Sequence, residues 1–243
     1  MKLKGAILIV GSLLWDPDQG DDPGARKKWR NTRLKMKDRI HVKAPIRYGR
    51  LSGSEPNRHY TMVFSKECEE QEKFGTAFVL PFKSETIRSF KGIENQARFL
   101  SKAEGNSNNR LCKGNNEKWC AIGAMLNPNL DKRLKLKFLT FWKELLKNDN
   151  GLKDINEYKV GTEKSVLSEF GEIIINWPKA IAESDQKIID NIDFILATCT
   201  KPNIDTYPSI EDLQKDIQAD KRKYFLKNIE SGITTFQDRE ILQ

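Results

Sequence analysis

Two short segments of this chain carry residue types that can do chemistry without a cofactor. Val10, Gly11, Ser12, Leu13 and Leu14 follow directly on an apolar run. A glycine in a tight turn after a strand leaves backbone N–H groups open to an anion. Such a turn can bind a ligand or simply end a strand. The second segment is Glu104-Gly105, where the helical spacing of Ile93, Ala97 and Leu100 stops. A carboxylate there opposes the helix dipole. It is either a solvated acid or one kept for a purpose.

Other chemistries lack their parts. Asp16, Asp18, Asp21 and Asp22 lie in a loop of turn formers, but Gly20 and Lys27 occupy positions where a calcium loop needs ligands. A nucleophilic Ser12 needs a base, and the chain offers only His41 and His59. His59 falls in a polar loop and is expected at the surface. His41 falls in a strand pattern and is expected to be structural. Cys68, Cys112, Cys120 and Cys199 form no C-x-x-C pair, so free thiols and no metal site are expected. There is no G-x-S-x-G elbow, no phosphate-binding glycine loop and no dinucleotide fingerprint. What remains is a backbone anion cradle and a lone carboxylate, with no cofactor expected.

The elements that must position these residues follow from pattern. The 243 residues, 38% hydrophobic and 31% charged, have the balance of an ordinary soluble protein. No apolar run approaches the roughly 20 residues needed to cross a bilayer. The apolar start lacks a small-residue cleavage site before Asp16 and reads as a first strand, so a cytoplasmic location without a membrane partner is expected. Further strands are expected over residues 39–45, 48–52, 60–65, 74–82 and 119–126. Helices are expected over 84–90, 92–104 and 128–146, and polar loops over 16–24, 53–58 and 106–117.

Residues 147–159 turn polar and mark a boundary. Strands over 172–177 and 193–199, a helix over 181–191 and an N-cap at Ser209 follow, and residues 232–241 are strand-like. Thr198-Cys199-Thr200 end one of these strands, with Cys199 expected in the core. The sum is an α/β (α+β) chain with a mixed sheet or partly closed barrel surrounded by helices. Residues 1–146 form its core and residues 147–243 a C-terminal α/β extension packed on it.

The net charge of +8 is concentrated, with eleven Lys/Arg and one Asp between residues 26 and 50. This block reads as a solvated surface; the alternative is nucleic-acid contact, with Trp29 and Tyr48 stacking on bases.

Taken together, residues 5–128 resemble the γ-glutamylcyclotransferase-like superfamily. Gly11-Ser12-Leu13-Leu14 followed by Trp15-Asp16-Pro17 is similar to the loop of its bacterial ChaC-type members. Residues 60–65 resemble its second core strand, and Phe74-Gly75-Thr76-Ala77-Phe78 another. Leu100-Ser101-Lys102-Ala103-Glu104-Gly105 resembles the segment that carries the family's catalytic glutamate.

The resemblance implies a cofactor-free enzyme that releases 5-oxoproline from a small γ-glutamyl compound. It assigns Glu104 as general acid and base, and Val10, Gly11, Ser12, Leu13 and Leu14 as the substrate loop. Val10 stands where the family's loop has tyrosine. That difference motivates the alternative of a non-catalytic small-molecule or protein binding module on the same fold.

Overall fold

The computed structural model describes residues 1–18, 22–53, 58–106, 110–112, 119–149, 152, 154–221 and 223–242. Gly20, Asp21 and parts of the loops expected at 53–58, 106–117 and 147–159 lie outside the described residues.

The first apolar run forms β1 (Gly5–Ile9), buried at every residue. It pairs antiparallel with β5 (Gly75–Pro81) and parallel with β8 (Phe194–Thr200). A strand flanked on both edges and covered on both faces needs a continuous apolar sequence, which Ala6–Ile9 supplies. The six-stranded sheet runs β6 (Cys120–Leu126), β8, β1, β5, β2 (Ile40–Ala44), β7 (Lys179–Ala180). The β1–β8 pair is parallel and the others antiparallel, so the sheet is mixed.

The partly closed barrel of the sequence reading is corrected: no closed barrel exists among the described residues. Pro45 gives the reason. It follows β2 directly and cannot donate to a ladder. The chain leaves the sheet there and forms a separate hairpin of β3 (Ile46–Ser52) and β4 (His59–Phe64).

Eight helices lie among the described residues. α1 (Ala25–Arg33) carries the start of the basic block, and α2 (Lys66–Glu70) follows β4. α3 (Phe90–Ala103) and α4 (Lys132–Asn148) are capped by the side chains of Ser89 and Asp131. An aromatic cluster ties α4 to the sheet: the Phe138 ring lies 5.7 Å from Trp142 and 5.8 Å from Phe194. All three are fully buried, and each such side chain contributes about 1.5–3 kcal/mol of burial. α5 (Glu183–Asp190), α6 (Ile210–Ala219), α7 (Tyr224–Ser231) and α8 (Asp238–Ile241) complete the chain. Ser209 does cap α6, through a capping box with Asp212.

Three expected elements differ. Residues 84–90 are not a helix; Ile87 bridges Leu3 through two backbone bonds of 2.7 and 2.9 Å, and Ser89 turns the chain into α3. Residues 172–177 are not a strand; Glu172 and Ile173 make single bridges to Ala124 and Leu167. Residues 232–241 make one bridge, Thr234 to Thr76, and then coil into α8. There Gln237 accepts from the Tyr48 backbone at 3.0 Å, and Asp238 accepts from the Tyr48 hydroxyl at 2.8 Å. In each case a long-range partner overrides the local pattern.

The second half of the chain is woven into the first half's sheet, because β8 sits between β1 and β6. The basic block is partly interior. Trp29 and Arg30 are buried and Tyr48 is fully buried, so neither aromatic can stack on a base.

Candidate active site

Glu104 is placed by the way α3 ends. Gly105 adopts φ 94°, a left-handed conformation that glycine enters without strain. Its N–H bonds to the Lys102 carbonyl at 3.0 Å, and the Asn106 N–H to the Ser101 carbonyl at 3.0 Å. This is a Schellman motif, and Glu104 is the C-cap within it. The helix dipole gives no support to a negative charge there. The Glu104 side chain is nonetheless only 11% exposed, and Arg26 Nη2 stands 3.8 Å from its Oε2.

The 10–16 loop faces the same place. Gly11 has φ 89°, and a Cβ at that position would stand 2.8 Å from the Tyr224 hydroxyl oxygen. The Gly11 and Ser12 carbonyls accept from Leu14, Trp15 and Asp16 and close the turn. The N–H groups of Gly11, Ser12 and Leu13 find no acceptor among the described residues. These are the open donors that an anion cradle needs.

Two arginines hold the loop. Arg26 and Arg30 lie four residues apart and so share a face of α1. Arg30 Nη1 donates to the Leu13 carbonyl at 2.6 Å and the Asp16 carbonyl at 2.8 Å. Arg26 Nη1 donates to Asp16 Oδ2 at 2.9 Å, and its Nε to the Ala103 carbonyl at 3.0 Å. Arg26 therefore joins the loop to the helix end that carries Glu104.

Loop and carboxyl line one cavity of about 590 Å³. Val10, Ser12, Leu13 and Glu104 are on its wall, with Trp15, Arg26, His59 and Tyr224. Gly11 stands beside it, under Tyr224. Leu14 does not line it; that side chain is buried in the core.

Three wall residues were out of reach of sequence reasoning. His59, expected at the surface, is 6% exposed at the start of β4, its ring 5.0 Å from that of Tyr224. Arg50 reaches the cavity because β3 is bulged beside it, between Tyr48 and Arg50. Tyr224 arrives on α7, which is anchored where Trp15 Nε1 donates to Asn228 Oδ1 at 2.7 Å. No local signal marks a tyrosine 120 residues beyond Glu104 as its neighbour.

Of the other candidates, Asp16 also lines the cavity. His41 is structural as expected, with Nε2 2.8 Å from the Gly232 carbonyl and its ring stacked on Phe78 at 4.6 Å. All four cysteines are buried and none is in a disulfide, and Cys199 is in the core as expected. Its neighbour Thr200 lines the cavity. Asp16 is held in its ion pair with Arg26.

The electrostatics suit proton transfer. Burial pushes the Glu104 carboxyl above its ordinary 4.5, while Arg26 and the Thr198 hydroxyl pull it back. The Thr198 hydroxyl is buried and lies beside the carboxyl without the alignment of a hydrogen bond. Burial raises the Tyr224 phenol to about 12, so it remains a donor at neutral pH.

The Glu104 shift has a consequence for stability. A carboxyl whose pKa is raised on folding stabilises the fold only while protonated, and that contribution is lost as pH rises through the raised value. Glu104→Gln is therefore expected to melt at a higher temperature than wild type at pH 7–8. The gap should close as pH falls below the ordinary carboxylate value near 4.5. Thermal unfolding followed by circular dichroism across pH 4–8 checks this. A variant less stable at every pH overturns it.

No protein-family model matches the sequence, and neither does any curated protein or any solved structure.

Proposed function

We propose that this chain is a γ-glutamylcyclotransferase-like enzyme that releases 5-oxoproline from a γ-glutamyl compound. The observation that carries the reading is that a buried carboxyl of raised pKa lines the same cavity as Ser12 and Leu13, which belong to a turn whose N–H groups have no acceptor among the described residues. The resemblance over residues 5–128 supplies the reaction.

The substrate's α-amine attacks its own γ-amide carbonyl carbon. A C–N bond forms within the new ring, and the C–N bond to the amine partner breaks. Glu104, ionised, takes a proton from the ammonium group and passes it to the leaving nitrogen, and the second proton shed by the ring nitrogen follows the same route, so the partner leaves as an ammonium ion. The nucleophile is intramolecular, so a cavity that holds the substrate folded supplies on the order of 7–11 kcal/mol of the barrier reduction. The open N–H groups at residues 11–13 hold negative charge on the substrate, and the Tyr224 hydroxyl above Gly11 adds a donor. That hydroxyl comes from another part of the chain than the loop tyrosine that Val10 replaces.

Tyr224→Phe keeps the ring and removes the donor. It is expected to lower kcat/KM for 5-oxoproline release about 10–100-fold with little change in melting temperature. An unchanged kcat/KM would place the hydroxyl outside the reaction.

The reading itself is tested by 5-oxoproline release from a panel of γ-glutamyl amino acids, peptides and amines. Release above the uncatalysed rate supports it. No release from any member moves the assignment to the second reading, a binding module on the same fold. Val10 in place of the loop tyrosine motivates that reading, whereas the shared cavity of Glu104 and the Gly11 turn favours the enzyme.

A further inference from the structure

The cavity has a second charged region that the chemistry at Glu104 leaves unused. Arg50 lies on β3 at a bulge, a feature that re-aims a side chain. Its Nη1 donates to the Lys201 carbonyl at 2.7 Å, and its guanidinium stands 6.0 Å from the Trp119 ring. Asn203 fixes the strand by pairing with both backbone groups of Leu51 at 2.8 Å. Three other arginines have carboxylates: Arg26 has Asp16, Arg47 has Glu67, and Arg98 has Glu94 and Asp149, while the buried Arg30 is spent on two loop carbonyls. Arg50 has none among the described residues. Burial lowers its pKa, and only Cys120 nearby acts in the opposite direction. A half-buried guanidinium on a cavity wall, with donors to spare, is built to receive an oxyanion. Arg58 adds an exposed cation on the same wall.

The separation indicates whose anion this is. Glu104 stands beside Thr198, and Arg50 is tied to Lys201, three residues further along the same stretch of chain. Thr200 lines the cavity between them. Three extended residues span roughly 10 Å, and two side chains reaching inward shorten that gap. A γ-glutamyl group reacting at Glu104 places its own carboxylate at the 11–13 turn. An anion at Arg50 must then be carried by the other side of the scissile bond.

We infer that Arg50 is a carboxylate subsite for the amine partner, so the substrates are γ-glutamyl amino acids or short γ-glutamyl peptides in preference to γ-glutamylamines. The inference rests on the cyclotransferase reading and specifies its substrate class.

The test uses a matched pair, γ-glutamylglycine and γ-glutamylmethylamine, which differ by one carboxylate. For the wild-type chain, kcat/KM for 5-oxoproline release is expected to favour the glycine compound about 10–100-fold. In Arg50→Gln the preference narrows to within about twofold, through loss of rate on the glycine compound. Arg50→Lys retains part of the preference. Equal wild-type rates, or a preference that survives Arg50→Gln, overturn the subsite. If Arg50→Gln does not fold, the wild-type ratio alone decides. If neither compound is turned over, the cyclotransferase reading fails, and calorimetric binding of the same pair decides the subsite. Tighter binding of the glycine compound that is lost in Arg50→Gln supports it, and equal binding overturns it.

Discussion

Replacing Glu104 with glutamine is expected to lower 5-oxoproline release about 10²–10⁴-fold, the usual contribution of a positioned general acid and base. The amide has nearly the same volume and keeps the Schellman motif, which rests on Gly105 and backbone bonds. It cannot accept the ammonium proton. Because the buried carboxyl costs stability when ionised, the inactive variant is also expected to be the more stable one near neutral pH. Loss of rate with gain of stability is hard to obtain from a misfolded mutant. A rate within tenfold of wild type would show that another group moves the proton.

Gly11→Ala is expected to abolish measurable turnover and to cost about 1–3 kcal/mol of stability. Two effects combine. The backbone is at φ 89°, which an L side chain rarely adopts, and the new Cβ would stand 2.8 Å from the Tyr224 hydroxyl oxygen. A double-mutant cycle separates them. With the hydroxyl removed, the nearest remaining atom is the Tyr224 Cζ at 3.8 Å, an ordinary contact. Gly11→Ala/Tyr224→Phe is therefore expected to recover the steric part of the lost stability and to retain the backbone part. Denaturant unfolding of the four proteins reads both. Strict additivity would mean that Tyr224 does not lie over Gly11.

These expectations draw on residues of different legibility. β1, the turn after it, α3 and the stop at Glu104-Gly105 were readable because each is local. An apolar run, a glycine and a 3.6-residue period carry them. The structural His41 and the buried Cys199 followed from the strands that hold them. His59 was misplaced because its neighbours are polar and its burial comes from Tyr224, 165 residues away in sequence. Residues 172–177 carry strand residue types but find only single bridges, one to Ala124 on the β6 edge and one to Leu167. The open form of the sheet depends on Pro45 leading the chain out into the β3–β4 hairpin, which a strand pattern on either side of a proline does not reveal. Arg50 looked like one cation in a basic block, and only its bulge and its place on the cavity wall set it apart.

The position of β8 has a consequence for biosynthesis. Gly5 on β1 faces Phe194 on β8, so that edge of β1 waits for about 190 further residues to be translated. At about 5–20 residues per second, the wait is roughly 10–40 s. Throughout it, Ala6, Ile7 and Leu8 have an unpaired strand edge, and the nascent chain has no Tyr224 to close over Gly11. Native sheet formation therefore waits on a distant segment of the chain, with slow, high-contact-order kinetics. A ribosome paused before residue 194 would display an aggregation-prone edge.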